Sequence, residues 1–131
     1  MWISYVTLGV ADLDLAIGFY GALLGQPPAR RGPTFAFFEG GGGQVLALFD
    51  AAAMAEETGA AVRAGGVALS HNVPGRDDLE PLLQTALSAG ATLLRARHQK
   101  PWGAEAAWIA DPDGHPWELV WNPRRNPSPG E

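Results

Sequence analysis

The chain has 131 residues, 47% of them hydrophobic, and fourteen acidic against nine basic side chains leave a net charge of −5; that length supports one domain with a core of its own. With no cysteine, it can form no disulfide, thiolate metal site or cysteine nucleophile. Basic residues come at most in adjacent pairs, Arg30-Arg31 and Arg124-Arg125, which argues against a nucleic-acid partner, and no apolar run approaches the roughly 18 residues of a membrane span.

The amino terminus carries neither the basic flank nor the cleavage site of a signal peptide, so a cytoplasmic protein is expected. Trp2 to Val10 alternates and reads as a strand. Asp12 then has the place of a helix N-cap, Leu13, Ile17, Tyr20 and Leu24 recur at helical spacing, and Gly25 stops the helix. Residues 27–33, with Pro27, Pro28 and Gly32, conceal the weakest strand of this half. Thr34 to Glu39 and Gln44 to Asp50 read as a hairpin around the glycine run 40–43. Ala51 to Gly59 is a short alanine-rich helical or loop segment.

The order then repeats. Val67 to Val73 is a strand, and a second helix starts at Asp77 or Asp78. Leu79, Leu82, Leu83, Ala86 and Leu87 form its apolar stripe, and Gly90 ends it. Thr92 to Arg97, Ala106 to Ala110 and Pro116 to Trp121 are three more strands. A half-chain repeat of this kind suggests a duplicated module. Between the last two strands, Asp111-Pro112-Asp113-Gly114 is turn chemistry: Asp bonds the local backbone and Gly takes a positive φ. The last strand holds one carboxylate, Glu118, among apolar and aromatic residues. A buried acid must be hydrogen-bonded, paired, metal-bound or at a cavity edge, so Glu118 is the first candidate for function.

Three passages carry a family resemblance: LGVADLDLAIGFYGALLG (Leu8 to Gly25), the second helix running into LSAGA (Leu87 to Ala91), and IADPDGHPWELVWNP (Ile109 to Pro123). In this order the chain resembles the vicinal oxygen chelate superfamily of glyoxalases, bleomycin-resistance proteins and extradiol dioxygenases. The resemblance implies an α+β fold of two tandem βαβββ modules, about residues 1–60 and 64–123 of a single domain 1–131. The resemblance also implies that the modules form a curled mixed sheet around a cleft. A homodimer is implied as well. Family metal sites draw on the first and last strand of each module. Here those positions are Tyr5, Ala47 or a neighbour, one of Gly66, Val67 or Ala68, and Glu118. One carboxylate does not hold a divalent ion, which needs three or four convergent donors, so no metal and no cofactor are expected. A metal version would need His71 or Asp50 turned into the cleft.

Strand alternation sends Ile3, Tyr5 and Thr7 toward the cleft and Val6, Leu8 and Val10 toward the helix. It likewise sends Ser70 and Asn72 inward and His71 to the helix side. Phe37 lies on an alternating aromatic strand, and Trp102 sits on a Pro-Trp-Gly loop that could stack on a planar ligand. Glu118 is either a ligand contact and general base or a vestigial acid satisfied by Tyr5 or Asn72. His98 reads as surface or pocket rim and His115 as part of the turn. The expected ligand site is therefore Tyr5, Thr7, Phe37, Ser70, Asn72, Trp102 and Glu118, binding a small planar or aromatic molecule. The negative chain suits a cationic one. The alternative is a lyase, isomerase or epimerase with Glu118 as the catalytic base.

Overall fold

The computed structural model describes residues 2–124. In chain order the elements are β1 (Tyr5–Val10), α1 (Leu13–Leu24), β2 (Arg30–Arg31), β3 (Phe35–Glu39), β4 (Val45–Asp50) and α2 (Ala51–Thr58). There follow β5 (Leu69–Asn72), a 3₁₀ turn (Arg76–Asp78), α3 (Leu79–Ser88), β6 (Thr92–Gln99), β7 (Glu105–Ala110) and β8 (Pro116–Trp121). The strands form two four-stranded sheets, β1-β4-β3-β2 and β5-β8-β7-β6. The chain divides between Ala64 and Gly65 into two compact units. In each sheet the first strand of the unit runs parallel to the last, and the remaining pairs are antiparallel. Both halves are thus βαβββ modules with a sheet each, and the architecture is α+β.

In module one, α1 starts where Asp12 accepts a hydrogen bond from Leu15 N at 3.0 Å and ends at Gly25, whose φ of 68° places it in the left-handed region. Its buried face is Leu13, Ala16, Phe19, Tyr20 and Leu23. Ile17 and Leu24, expected in the stripe, are half-buried. The true stripe is carried by the small Ala16 and by Phe19, where a helix can approach a sheet closely. It meets Leu8, Val10, Ala36, Phe38 and Leu48, all buried. The segment left open between helix and loop is helical, because Asp50 caps it through Ala53 N at 3.0 Å.

In module two, Leu79, Leu83 and Ala86 of α3 are buried with Ala107, Ile109 and Leu119 of the sheet. The expected strand Val67 to Val73 shortens to Leu69–Asn72, because Gly65 and Gly66 take positive φ values of 138° and 74° and Pro74 follows. The helix begins at Leu79, one residue after the later of the two expected starts. Asp77 and Asp78 lie in the 3₁₀ turn, and Asp78 accepts from Gly75 N at 2.9 Å instead of capping α3. A buried carboxylate, Glu105, ties α3 to the sheet. It pairs with Arg76, and with Arg97 at 2.8 Å, and Arg97 also reaches Glu80 of α3 at 3.3 Å. The hydrogen bonds from Arg97 and then Arg76 hold the Glu105 carboxyl below its usual range, against the opposing effect of desolvation.

The Asp111 turn is structural throughout. Asp111 Oδ1 accepts from Asp113 N at 2.9 Å and from His115 N at 2.8 Å, and Gly114 has φ 93°. Asp111→Ala leaves these partly buried donors without their acceptor and lowers stability by about 1–2 kcal/mol in urea unfolding. Glu105 supplies a pH test. Its folded pKa lies below 4.5, so the stability it confers is complete above that value and is lost as pH falls through the folded pKa. Glu105→Gln is expected to lower stability at neutral pH and to flatten the loss of stability below about pH 5.

Candidate functional site

The module-one sheet presents Tyr5, Thr7, Phe35, Phe37, Val45, Ala47 and Phe49 on the face opposite to α1. Thr7 and Phe37 both register with Ala47, and Phe35 registers with Phe49. Ala47 places only a methyl group between two larger neighbours, which leaves a hollow. The rings of Tyr5 and Phe37 meet edge-on at 5.6 Å, and those of Phe35 and Phe37 lie 4.9 Å apart. The resulting cleft is about 410 Å³ and is lined by Tyr5, Thr7, Phe35, Phe37, Ala47 and Phe49, with Thr34 and Glu57 among its polar members. Gly32 helps shape it: a Cβ there would come within 2.3 Å of the Phe35 ring.

In module two, one row crosses the whole sheet: Ser70 registers with Glu118, Glu118 with Trp108, and Trp108 with Arg95. The next row is Asn72, Val120, Ala106 and His98. Ser70 Oγ donates to Glu118 Oε1 at 3.2 Å, and Lys100 Nζ contacts Glu118 Oε2 as an ion pair. Lys100 starts a tight β6–β7 connection, in which Lys100 N donates to Ala104 O at 2.7 Å and Gly103 N to Lys100 O at 3.0 Å. Trp102 stands on that turn, 43% exposed, with the Arg124 guanidinium over its ring at 5.6 Å. A second cleft of about 360 Å³ is lined by Arg95, His98, Lys100, Trp102 and Trp108.

The structure therefore places Tyr5, Thr7 and Phe37 together on module one. It places Ser70, Asn72 and Glu118 on one face of module two, and Trp102 on the cleft beside Lys100. Glu118 finds its partners in Ser70 and Lys100, where the sequence suggested Tyr5 or Asn72. Lys100 was hidden because it lies beyond the expected strand Thr92 to Arg97, where no alternation or motif covers it. Trp108 was findable, since it pairs with Glu118 across the strands and shares its face. β5 keeps an unbroken register, so His71 pairs with Leu119 on the helix side, and burial pushes its pKa below 6.5. Asp50 is spent on capping α2. His98 lies at the end of β6, and its Nδ1 donates to Ala96 O at 3.0 Å. Among the described residues no group of three His, Asp or Glu is placed to hold a metal ion.

A sequence profile of the Glyoxalase/Bleomycin resistance protein/Dioxygenase superfamily matches residues 2–119. The chain belongs to this superfamily. A crystal structure of a glyoxalase-related enzyme from Fulvimarina pelagi is 38% identical, with a TM-score of 0.88 over 93% of this chain and 88% of that one. Lactoylglutathione lyase from Agrobacterium tumefaciens shares the fold at 21% identity, with a TM-score of 0.73 over 92% of this chain and 93% of the other. An uncharacterized protein of Mycobacterium bovis is 43% identical over 42 residues, which is 32% of this chain and 28% of that protein. The chain thus matches under a third of the length of this curated relative. No helix among the described residues is long and apolar enough to cross a membrane.

The Lys100–Glu118 pair yields a stability test. Lys100→Met leaves the buried carboxylate uncompensated; because Lys100 is partly exposed, the expected loss is about 2–3 kcal/mol. Adding Glu118→Gln in the same chain is expected to restore most of it, and a double-mutant cycle in urea measures the coupling.

Proposed function

We propose that this superfamily member is a small-molecule binding protein of the glyoxalase and bleomycin-resistance type, holding a planar or aromatic ligand without a metal or cofactor. The observation that carries the reading is the module-one cleft. Three phenylalanines and Tyr5 surround the small Ala47, with the hydroxyls of Tyr5, Thr7 and Thr34 and the carboxylate of Glu57 as its polar groups. A concave aromatic lining with a few polar groups is the usual composition of a ligand pocket, and about 410 Å³ is within the usual size range. Tyr5, Thr7 and Phe37 are the proposed contacts there. Ser70, Asn72, Trp102 and Glu118 are the proposed contacts on module two.

The metal-free part of the proposal rests on charge and donor count. Of the positions that the family uses for metal, Tyr5, Ala47, the segment Gly66 to Ala68 and Glu118, only the last supplies a carboxylate. Its oxygens already face the Ser70 hydroxyl and the Lys100 ammonium. A divalent ion there would lack the convergent donors it needs and would lie beside a positive charge. The same pairing weighs against Glu118 as the general base of a lyase, isomerase or epimerase, since Lys100 would have to withdraw before a proton could be taken. A cytoplasmic homodimer completes the proposal, by the family resemblance; light scattering reads the oligomer.

A thermal-shift screen with neutral planar aromatics tests the binding reading. A ligand at about 100 times its Kd should stabilise the fold by roughly 2.7 kcal/mol. Phe37→Ala is expected to weaken such a ligand about tenfold. If no planar aromatic raises Tm, or if zinc, nickel or manganese co-purifies in stoichiometric amount, the proposal is wrong.

A further inference from the structure

We infer that the module-two cleft is a site for an aromatic carboxylate, a planar ring bearing one anionic group, which Arg95 recognises. The inference builds on the reading of this chain as a small-molecule binder and assigns the ligand chemistry on module two. Strand β6 is irregular. Pairing with β7 shifts register twice, between Leu93 and Arg95 and again between Arg95 and His98. Without those shifts Arg95 and His98, three residues apart, would lie on opposite faces of the strand. With them, Arg95 lies beside Trp108 and His98 beside Ala106, on the face that carries Glu118. Arg97, between them, serves the other face through Glu105. Bulges re-aim side chains in this way and are frequent beside functional sites.

The cleft so formed is lined by two indoles, Trp102 and Trp108, and by three basic or titratable side chains, Arg95, His98 and Lys100. Its charge is unbalanced. Lys100 is matched by Glu118, but among the described residues no carboxylate pairs with Arg95, which is exposed. Arg124 adds a further cation at the Trp102 ring. A local positive excess within a chain of net charge −5 selects an anion. The guanidinium fork matches a planar carboxylate with two parallel hydrogen bonds. The indole faces suit a flat ring rather than an aliphatic acid. Arg124 covers one side of the Trp102 ring and steadies it, and the ring still lines the cleft. His98 donates Nδ1 to its own strand, which leaves Nε2 for a second polar contact.

Isothermal titration of the full chain with naphthoate, and with naphthamide as its uncharged counterpart, tests this. Naphthoate is expected to bind about tenfold more tightly than naphthamide at low salt, and the preference should shrink as salt is raised. Arg95→Gln should abolish the preference, whereas Arg63→Gln, the same loss of charge at an exposed position elsewhere, should leave it intact. Trp102→Ala should weaken both ligands. Equal binding of naphthoate and naphthamide, a preference that survives Arg95→Gln, or no naphthoate binding at millimolar concentration overturns the inference. Neutral aromatics that still bind and depend on Phe37 would in that case leave the proposed function standing.

Discussion

Each sheet packs one face on a helix, and the two-residue period of a strand then decides the use of every side chain in it. In module one, Leu8, Val10, Ala36, Phe38 and Leu48 are committed to the α1 side. Their neighbours in sequence, Thr7, Phe35, Phe37, Ala47 and Phe49, are released to the opposite face. Register turns that release into a site. Thr7, Ala47 and Phe37 lie in one row because three strands pair without a slip, and a slip of one residue would exchange the core and the cleft. In module two the same constraint lines up Ser70, Glu118, Trp108 and Arg95. The chemistry available to the protein is therefore set by strand pairing, before any single side chain is considered.

Two buried carboxylates on the second sheet show how that division treats charge. Glu105, on the helix side, is gripped by Arg76 and Arg97, and Arg97 is shared with Glu80. Arginine holds its planar fork in place and binds two partners at once, which suits a joint between α3 and the sheet. Glu118, on the other side, is matched by a serine and a lysine. Lysine is a single charge on a flexible stem, and Lys100 starts a tight turn at the rim of a cleft. The two acids are similarly buried, yet one is locked into the scaffold and the other is balanced by a side chain that borders open space.

Much of this was legible in the sequence, for local reasons. Asp12 and Gly25 bracket α1 because N-caps and left-handed stops are local chemistry, and the Asp111 turn follows from two backbone bonds within four residues. Alternation alone placed Tyr5 and Thr7 opposite Val6, Leu8 and Val10. What was missed is non-local. The helix stripe runs through Ala16, Phe19 and Leu23 because the partner surface, not the helix, decides which residues approach it. The bulges in β6 depend on β7 and leave no mark in TLLRARHQ. Lys100 reaches Glu118 across a turn whose path no periodicity describes. That is why the acid was legible and its partner was not.

The same distinction governs the sign of a ligand. A net charge of −5 invites a cation as partner, yet exposed charges more than about 8 Å away are largely screened at physiological salt. What a bound molecule feels is the nearest unbalanced group. On module two Glu118 is already matched by Lys100, so its charge cancels at short range. Among the described residues Arg95 has no such match, and it stands beside Trp108 in the same row. An acidic chain can thus present an anion site, because strand register sets Arg95 and His98 on a face whose carboxylate, Glu118, is already paired. Composition sets the long-range field, which affects encounter; register sets the contact, which determines which charge is retained.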